Sequence, residues 1–127
     1  MRQLPGFDDG AHERGKGAAA EEVAAHWLER QGFLVLDRNF HRAGGEVDLI
    51  AREDETLCFI EIKARGSQDF GSGLEAVDER KQQRIARAAL AYLVRFREPP
   101  ACRFDVLSLE RGAEGWTFDL IRDAFQL

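Results

Sequence analysis

Apolar residues recur along this chain in two rhythms. Between Gly15 and Gln31 they follow a helical period, with Val23, Ala24, Trp27 and Leu28 on one stripe of an alanine-rich segment, and Gly32 stands where the helix must stop. The rhythm then shortens. Phe33 to Asn39, opening on the apolar Phe33-Leu34-Val35-Leu36, predicts a strand, and Phe40 to Gly44 a turn. Glu46 to Arg52 predicts a second strand, joined by the polar connector Glu53-Asp54-Glu55 to a third and longest one, Thr56 to Arg65. The glycine-rich stretch Gly66 to Gly73 predicts a mobile loop that closes over substrate or carries a dimer contact. Asp78 then stands as N-cap of a long helix, Glu79 to about Phe96, with Pro99-Pro100 beyond its end. Cys102 to Leu109 and Trp116 to Ile121 are two further strands around a turn at Arg111 to Gly115. The order α-β-β-β-α-β-β predicts an α/β domain. Three strands pair as a meander, and the second helix crosses to a strand that can run parallel to its neighbour. The fold expected is a mixed sheet flanked by two helices over residues 15–127, after a flexible tail over 1–14.

Two of these strands carry charges where burial is expected. Asp48 lies in Gly45-Glu46-Val47-Asp48-Leu49-Ile50, and Glu61 and Lys63 lie in Phe59-Ile60-Glu61-Ile62-Lys63. An unpaired buried carboxylate costs several kcal/mol or gives up its charge. Strand alternation puts Glu61 and Lys63 on one face, Ile60 and Ile62 on the other. The same alternation places Glu46 with Asp48, and Val47 with Leu49. A hairpin about Asp54 brings position 48 to position 61 or its diagonal neighbour, at roughly 5 Å. Mg²⁺ suits such a pair, since it takes oxygen ligands and keeps several waters, and Mn²⁺ is the alternative ion. Two carboxylates with a lysine two residues on match phosphodiester hydrolysis. There Lys63 would orient or help deprotonate a water, or offset charge building on the phosphate. The plain alternative is a solvated Glu61–Lys63 pair beside a turn aspartate.

The helices extend this pattern. Glu21 lies at the edge of the first helix's apolar stripe and can reach inward to a metal or its water, whereas Glu22 should be solvated. In the second helix Ile85, Ala89, Tyr92, Leu93 and Phe96 form the stripe, with Gln82 inside it and Lys81 at its border. Gln82 would orient a water or the scissile phosphate, or merely reach solvent near the helix start. Arg80, Arg84 and Arg87 are expected on the opposite face.

Composition changes the picture only in part. At 127 residues and 44% hydrophobic content the chain supports one core. No apolar run is long enough to span a bilayer, and Met1 to Glu13 has no apolar stretch of signal type. Cys58 and Cys102 lack metal-ligand spacing and are expected to be reduced core thiols of a cytoplasmic protein. The three histidines, His12, His26 and His41, are scattered. Trp27, Trp116 and Phe118 are expected to pack in the core or at its edge. Arg103 and Asp105 alternate with Phe104 and Val106, which predicts a buried salt bridge. A net charge of −5 argues mildly against a nucleic-acid partner, yet Arg80 to Arg97 holds six basic residues and no acidic one.

Glu21 with Ala24 and Leu28, the Gly45–Ile50 segment, Phe59 to Arg65, Lys81 with Arg84-Ile85, and Arg103 to Val106 together resemble the PD-(D/E)xK, or restriction-endonuclease-like, superfamily. More closely, the chain resembles the YraN-like family, grouped by fold with Holliday-junction resolvases. Two positions depart from the pattern: Ala20 replaces the glycine usual before the helix glutamate, and Val47 stands where the superfamily nominally has proline. The resemblance implies a metal site from Glu21, Asp48 and Glu61, with Lys63 catalytic beside them. With Gln82 as a further catalytic candidate, the expected activity is a Mg²⁺- or Mn²⁺-dependent endonuclease. Its substrate would be DNA, branched DNA included, contacted through Arg65, Arg80, Lys81, Arg84 and Arg87. Symmetric cutting of a branch would favour a homodimer. The alternative is a non-catalytic nucleic-acid-binding or adaptor module on the same fold.

Overall fold

The computed structural model describes the backbone of residues 11–65 and 77–126, and side chains from position 19 onward within those ranges. The Gly66–Gly73 loop and the first ten positions of the expected tail lie outside the described residues. Helix α1 runs Ala11–Arg30, so it begins inside the segment expected to be tail. Its end is a Schellman turn. Gly32 sits at φ 102°, its N–H donates to the Glu29 carbonyl at 3.1 Å, and the Phe33 N–H donates to the Leu28 carbonyl at 3.0 Å. That closure buries Phe33 against Leu28.

Five strands follow in a sheet whose spatial order is the chain order: β1 (Leu34–Arg42), β2 (Gly45–Glu53), β3 (Thr56–Arg65), β4 (Cys102–Gly112) and β5 (Gly115–Phe125). Only β3 and β4 pair in parallel among these neighbours; β1–β2, β2–β3 and β4–β5 are antiparallel. The parallel step is made by helix α2, Glu79–Leu93. Asp78 is its N-cap and accepts from the Lys81 amide at 2.9 Å. The helix stops three residues short of the expected Phe96. The Arg95 and Phe96 amides fold back on the Tyr92 and Leu93 carbonyls in tight turns, and the Arg95 guanidinium lies 3.8 Å from the Tyr92 ring centroid.

Among the described residues, each face of the sheet carries one helix and one core. On the α1 face Ala20, Ala24, Ala25 and Leu28 pack on Leu49, Ala51, Cys58, Ile60, Leu107 and Leu109. There Trp27 stacks on Phe118, centroids 4.7 Å apart. On the α2 face Ile85, Ala88, Ala89 and Tyr92 pack on Val47, Ile50, Leu57, Phe59 and Val106. The α2 helix comes closest at Gly45, where a β-carbon would stand 2.3 Å from the Arg84 carbonyl oxygen. Cys58 is buried as expected, and burial pushes its thiol up to about 12. Cys102 is exposed rather than core, because it lies at the open start of β4; both thiols are free. Among the described residues no helix is long and apolar enough to cross a membrane.

Simple alternation fails at one place. Val47 and Leu49 were expected on the same face, yet Val47 joins the α2 core and Leu49 the α1 core. The cause is a fork in the sheet. The β2–β3 ladder stops at the Leu49–Ile60 pair, and β2 then follows β1 alone through Val47–Phe40 to Gly45–Arg42. Opposite this stretch Asn39 takes φ 50°, a left-handed conformation that asparagine tolerates. The outer strand turns with it, and the gap opens at Asp48.

Candidate metal centre

The fork would leave backbone groups of β3 without partners. Asp48 meets that need: its Oδ2 accepts the Ile62 N–H at 2.8 Å, in place of a ladder bond. Asp48 and Glu61 each stand one residue past that last rung, and their carboxyl groups interact. Glu61 is 6% exposed. Burial first, and the neighbouring Glu61 second, push the Asp48 carboxyl from an ordinary 3.8 up to about 8; Glu21 adds to the rise and the Ile62 bond opposes it. Burial and mutual repulsion thus favour one shared proton over two bare charges at this pair.

Glu21 reaches the notch from the α1 face. Its charge acts on Asp48, and its Oε1 accepts from the Asn39 side-chain amide at 2.9 Å. Glu22, one residue on, instead faces Arg38 at 2.9 Å and His26 at 3.6 Å near the surface. From the other face comes Lys81, whose Nζ lies 2.8 Å from Glu61 Oε2. Burial alone would lower the Lys81 ammonium. The Glu61 bond and the charges of Asp48 and Glu46 more than offset that, and hold it above the ordinary lysine range. Lys63 follows Glu61 on the same side of β3, half-buried and in register with Ser108, whose buried hydroxyl has no hydrogen-bond partner among the described residues.

The expected site residues thus separate into groups. Asp48, Glu61 and Lys63 lie together on adjoining strands, with Glu21 beside them. Lys81, expected among the phosphate contacts, is instead the ammonium on Glu61. Gln82 spends its side-chain amide on the Val77 carbonyl at 3.0 Å, bracing the entry to α2. Arg84 pairs with Glu46 at 3.0 Å, where α2 lies against the start of β2, and its side chain stays 42% exposed. Arg80 and Arg87 are exposed. Arg65 is half-buried, and its Nε lacks a hydrogen-bond partner among the described residues. The sequence reading missed Asn39 and the placement of Lys81. A strand asparagine at a kink, and a lysine three residues after an N-cap at the stripe's border, were the available signals.

The donor set suits a hard divalent cation. Among the described residues no three of His, Cys, Asp and Glu are arranged to hold an ion. Two carboxyl groups that share a proton can exchange it for a dication that keeps most of its own waters, which is how Mg²⁺ is usually held. Asp48 and Glu61 would hold it, and Glu21, whose charge acts on Asp48, is the third acid on that side.

Comparison with known proteins covers this whole arrangement. The chain is 42% identical over 113 residues to a UPF0102 protein of Cupriavidus metallidurans, covering 88% of this chain and 81% of the relative. It is 43% identical over 111 residues to one of Symbiobacterium thermophilum, 86% and 94% of the two chains. A third relative, from Albidiferax ferrireducens, is 45% identical over 104 residues, 79% and 81% of the two. The model of "Uncharacterised protein family UPF0102" matches residues 20–109, from the buried face of α1 to the end of the β4 core, and so takes in every side chain of the notch. The YraN-like resemblance seen in the motifs is met at this level: the chain belongs to the UPF0102 family.

Proposed function

We propose that this protein is a Mg²⁺- or Mn²⁺-dependent endonuclease of the PD-(D/E)xK type, hydrolysing phosphodiester bonds in DNA, with branched DNA the substrate form to test first. The observation that carries the reading is the half-buried Asp48 beside the buried Glu61 in the fork between β2 and β3, with Asp48 raised to about 8 and Lys63 two residues along the same strand as Glu61. A fold seldom retains two facing acids at a break in its sheet for stability, since an apolar pair would cost less.

Bound there, Mg²⁺ or Mn²⁺ supplies Lewis-acid stabilisation of charge on the phosphoryl group. The chain does the rest. Asp48 and Glu61 fix the position of the charge, and the Ile62 amide fixes Asp48. Lys63 brings an ammonium to the same side of β3 as Glu61, where it steadies the attacking water or the phosphate oxygens. Exposed Arg80 and Arg87 give salt-sensitive, sequence-independent contact with the DNA backbone. With a net charge of −5, joining two such surfaces in a homodimer would strengthen that contact.

One observation favours a second reading, a non-catalytic nucleic-acid-binding or adaptor module: Lys81 already neutralises Glu61. Supercoiled, linear and four-way-junction DNA incubated with Mn²⁺ separates the two. Cleavage by wild type that falls at least about a hundredfold in Lys63→Ala is the outcome expected of a nuclease. Equal cleavage by both proteins identifies a contaminant. Binding without cleavage by either assigns the adaptor role.

A further inference from the structure

The two ammonium groups at this site differ in what they touch. Lys81 approaches from α2, across the α2-side core, and ends on Glu61 Oε2 at 2.8 Å, with Asp48 and Glu46 near enough to act on its charge. Its side chain remains 35% exposed while that of Glu61 is 8% exposed. The ammonium thus ends on a largely buried oxygen while the side chain keeps access to solvent, on a flexible four-carbon stem that can swing without moving the helix. The backbone beneath is fixed, because Asp78 caps the Lys81 amide in the first turn of α2.

A dication held by Asp48 and Glu61 and an ammonium in contact with the same Glu61 would be like charges a few ångströms apart in a partly dry site, where screening by solvent is weak. We infer that Lys81 is an exchangeable counter-ion, displaced from Glu61 when a divalent cation binds and delivered, still charged, to a phosphate of the nucleic-acid substrate at the mouth of the notch. The inference rests on the nuclease reading above and gives it a binding order. Without cation, Lys81 neutralises the acids and is withheld from the substrate. With cation, its two charges balance the two carboxylates, the proton they shared goes to solvent, and the Lys81 charge is freed towards the polyanion. Cation and DNA then bind with positive coupling, each raising the affinity for the other by the same factor. Lys81 acts here as a positioning residue through Glu61 and the substrate backbone, whereas Lys63 is the group placed for the reacting phosphate.

The test compares wild type, Lys81→Gln and Lys81→Arg at one neutral pH. Mn²⁺ affinity is read by calorimetry, and affinity for a short labelled DNA duplex is read in Ca²⁺ and in chelator. Lys81→Gln should bind Mn²⁺ about tenfold more tightly than wild type, and lose most of the gain in DNA affinity that Ca²⁺ gives wild type. Lys81→Arg should keep most of that gain. Wild type supplies an independent readout, should Lys81→Gln melt early: acylation of Lys81, followed by mass spectrometry, should quicken when Ca²⁺ is added. Equal Mn²⁺ affinity in wild type and Lys81→Gln, or Lys81 labelling indifferent to Ca²⁺, overturns the exchange and leaves the nuclease reading standing. Absence of Mn²⁺ binding in both folded proteins overturns the nuclease reading together with the exchange.

Discussion

At the scale of single residues, Asp48 makes the sharpest claim. Its carboxyl holds a proton in the folded chain up to about pH 8 and loses it near 3.8 when unfolded. Between those values the unfolded state binds fewer protons, so stability falls as pH rises through the window. Asp48→Asn mimics the protonated form: the new side-chain oxygen can still accept from Ile62, and the new amide can donate to Glu61. Thermal melts in chelator at pH 8 should show the Asp48→Asn protein more stable than wild type by about 1–3 kcal/mol, with the difference vanishing near pH 4. The same variant should fail to gain stability from Mn²⁺. A variant less stable than wild type at pH 8 would mean that the native acid is charged and well solvated, against the geometry. Asp48, Glu61 and Lys63 were legible in the sequence because charge inside an apolar run is a conflict that shows without coordinates. So was the Arg103–Asp105 pair, for the same reason. Lys81 and Gln82 were named, but their partners were not foreseen. One turn of helix sets which of two adjacent polar residues meets Glu61 and which meets the Val77 carbonyl, and stripe arithmetic is too coarse for that.

At the scale of elements, the helix–sheet contact is set by an absence. Gly45 admits α2 so closely that a β-carbon would meet the Arg84 carbonyl oxygen at 2.3 Å and the Ala88 amide nitrogen at 2.5 Å, and neither can move without shifting the helix. Gly45→Ala should therefore cost about 2 kcal/mol or more in urea unfolding. A variant of wild-type stability would refute the close approach. The seven elements were all legible from periodicity and caps, and Asp78 and Gly32 cap and stop their helices as expected. Strand ends were not. β1 and β5 continue three and four residues beyond the expected Asn39 and Ile121, through charged positions that pattern assigns to turns and exposed edges accept. Nor was the break in alternation at Asp48 legible, since period-two reading assumes an unbroken ladder.

At the scale of the whole molecule, the two ends of the sheet are stabilised in opposite ways. At the end away from the fork, Arg103 donates to Asp105 at 2.9 Å and to Glu53, Arg122 donates to Glu53 at 2.7 and 2.9 Å, and the Asp123 amide donates to Asp105. These bonds tie β2, β4 and β5 together over Phe33, whose ring centroid lies 6.0 and 5.6 Å from the two guanidinium groups. Arg122 first, with Arg103, holds the Glu53 carboxyl down to about 2, so its contribution is complete above its ordinary 4.5 and fades as pH falls towards 2. Asp105 is fully buried, and Arg103→Met would leave it without a counter-charge. Urea unfolding should show a loss of about 3 kcal/mol at pH 7, and acid unfolding should begin at higher pH. No loss would mean that the Asp123 amide alone suffices. The topology that places these two ends, with a parallel step between β3 and β4, was legible from the order of helices and strands. The clamp across three strands was not, because Glu53 and Arg122 are 69 residues apart and look like ordinary surface charges. The fork at the opposite end has a mechanical consequence. Past the Leu49–Ile60 rung the spacing of β2 and β3 is set by side chains and not by the backbone ladder. The Asp48–Ile62 bond and the Lys81–Glu61 pair are therefore the struts that hold the first hairpin and α2 to β3 where the ladder has ended.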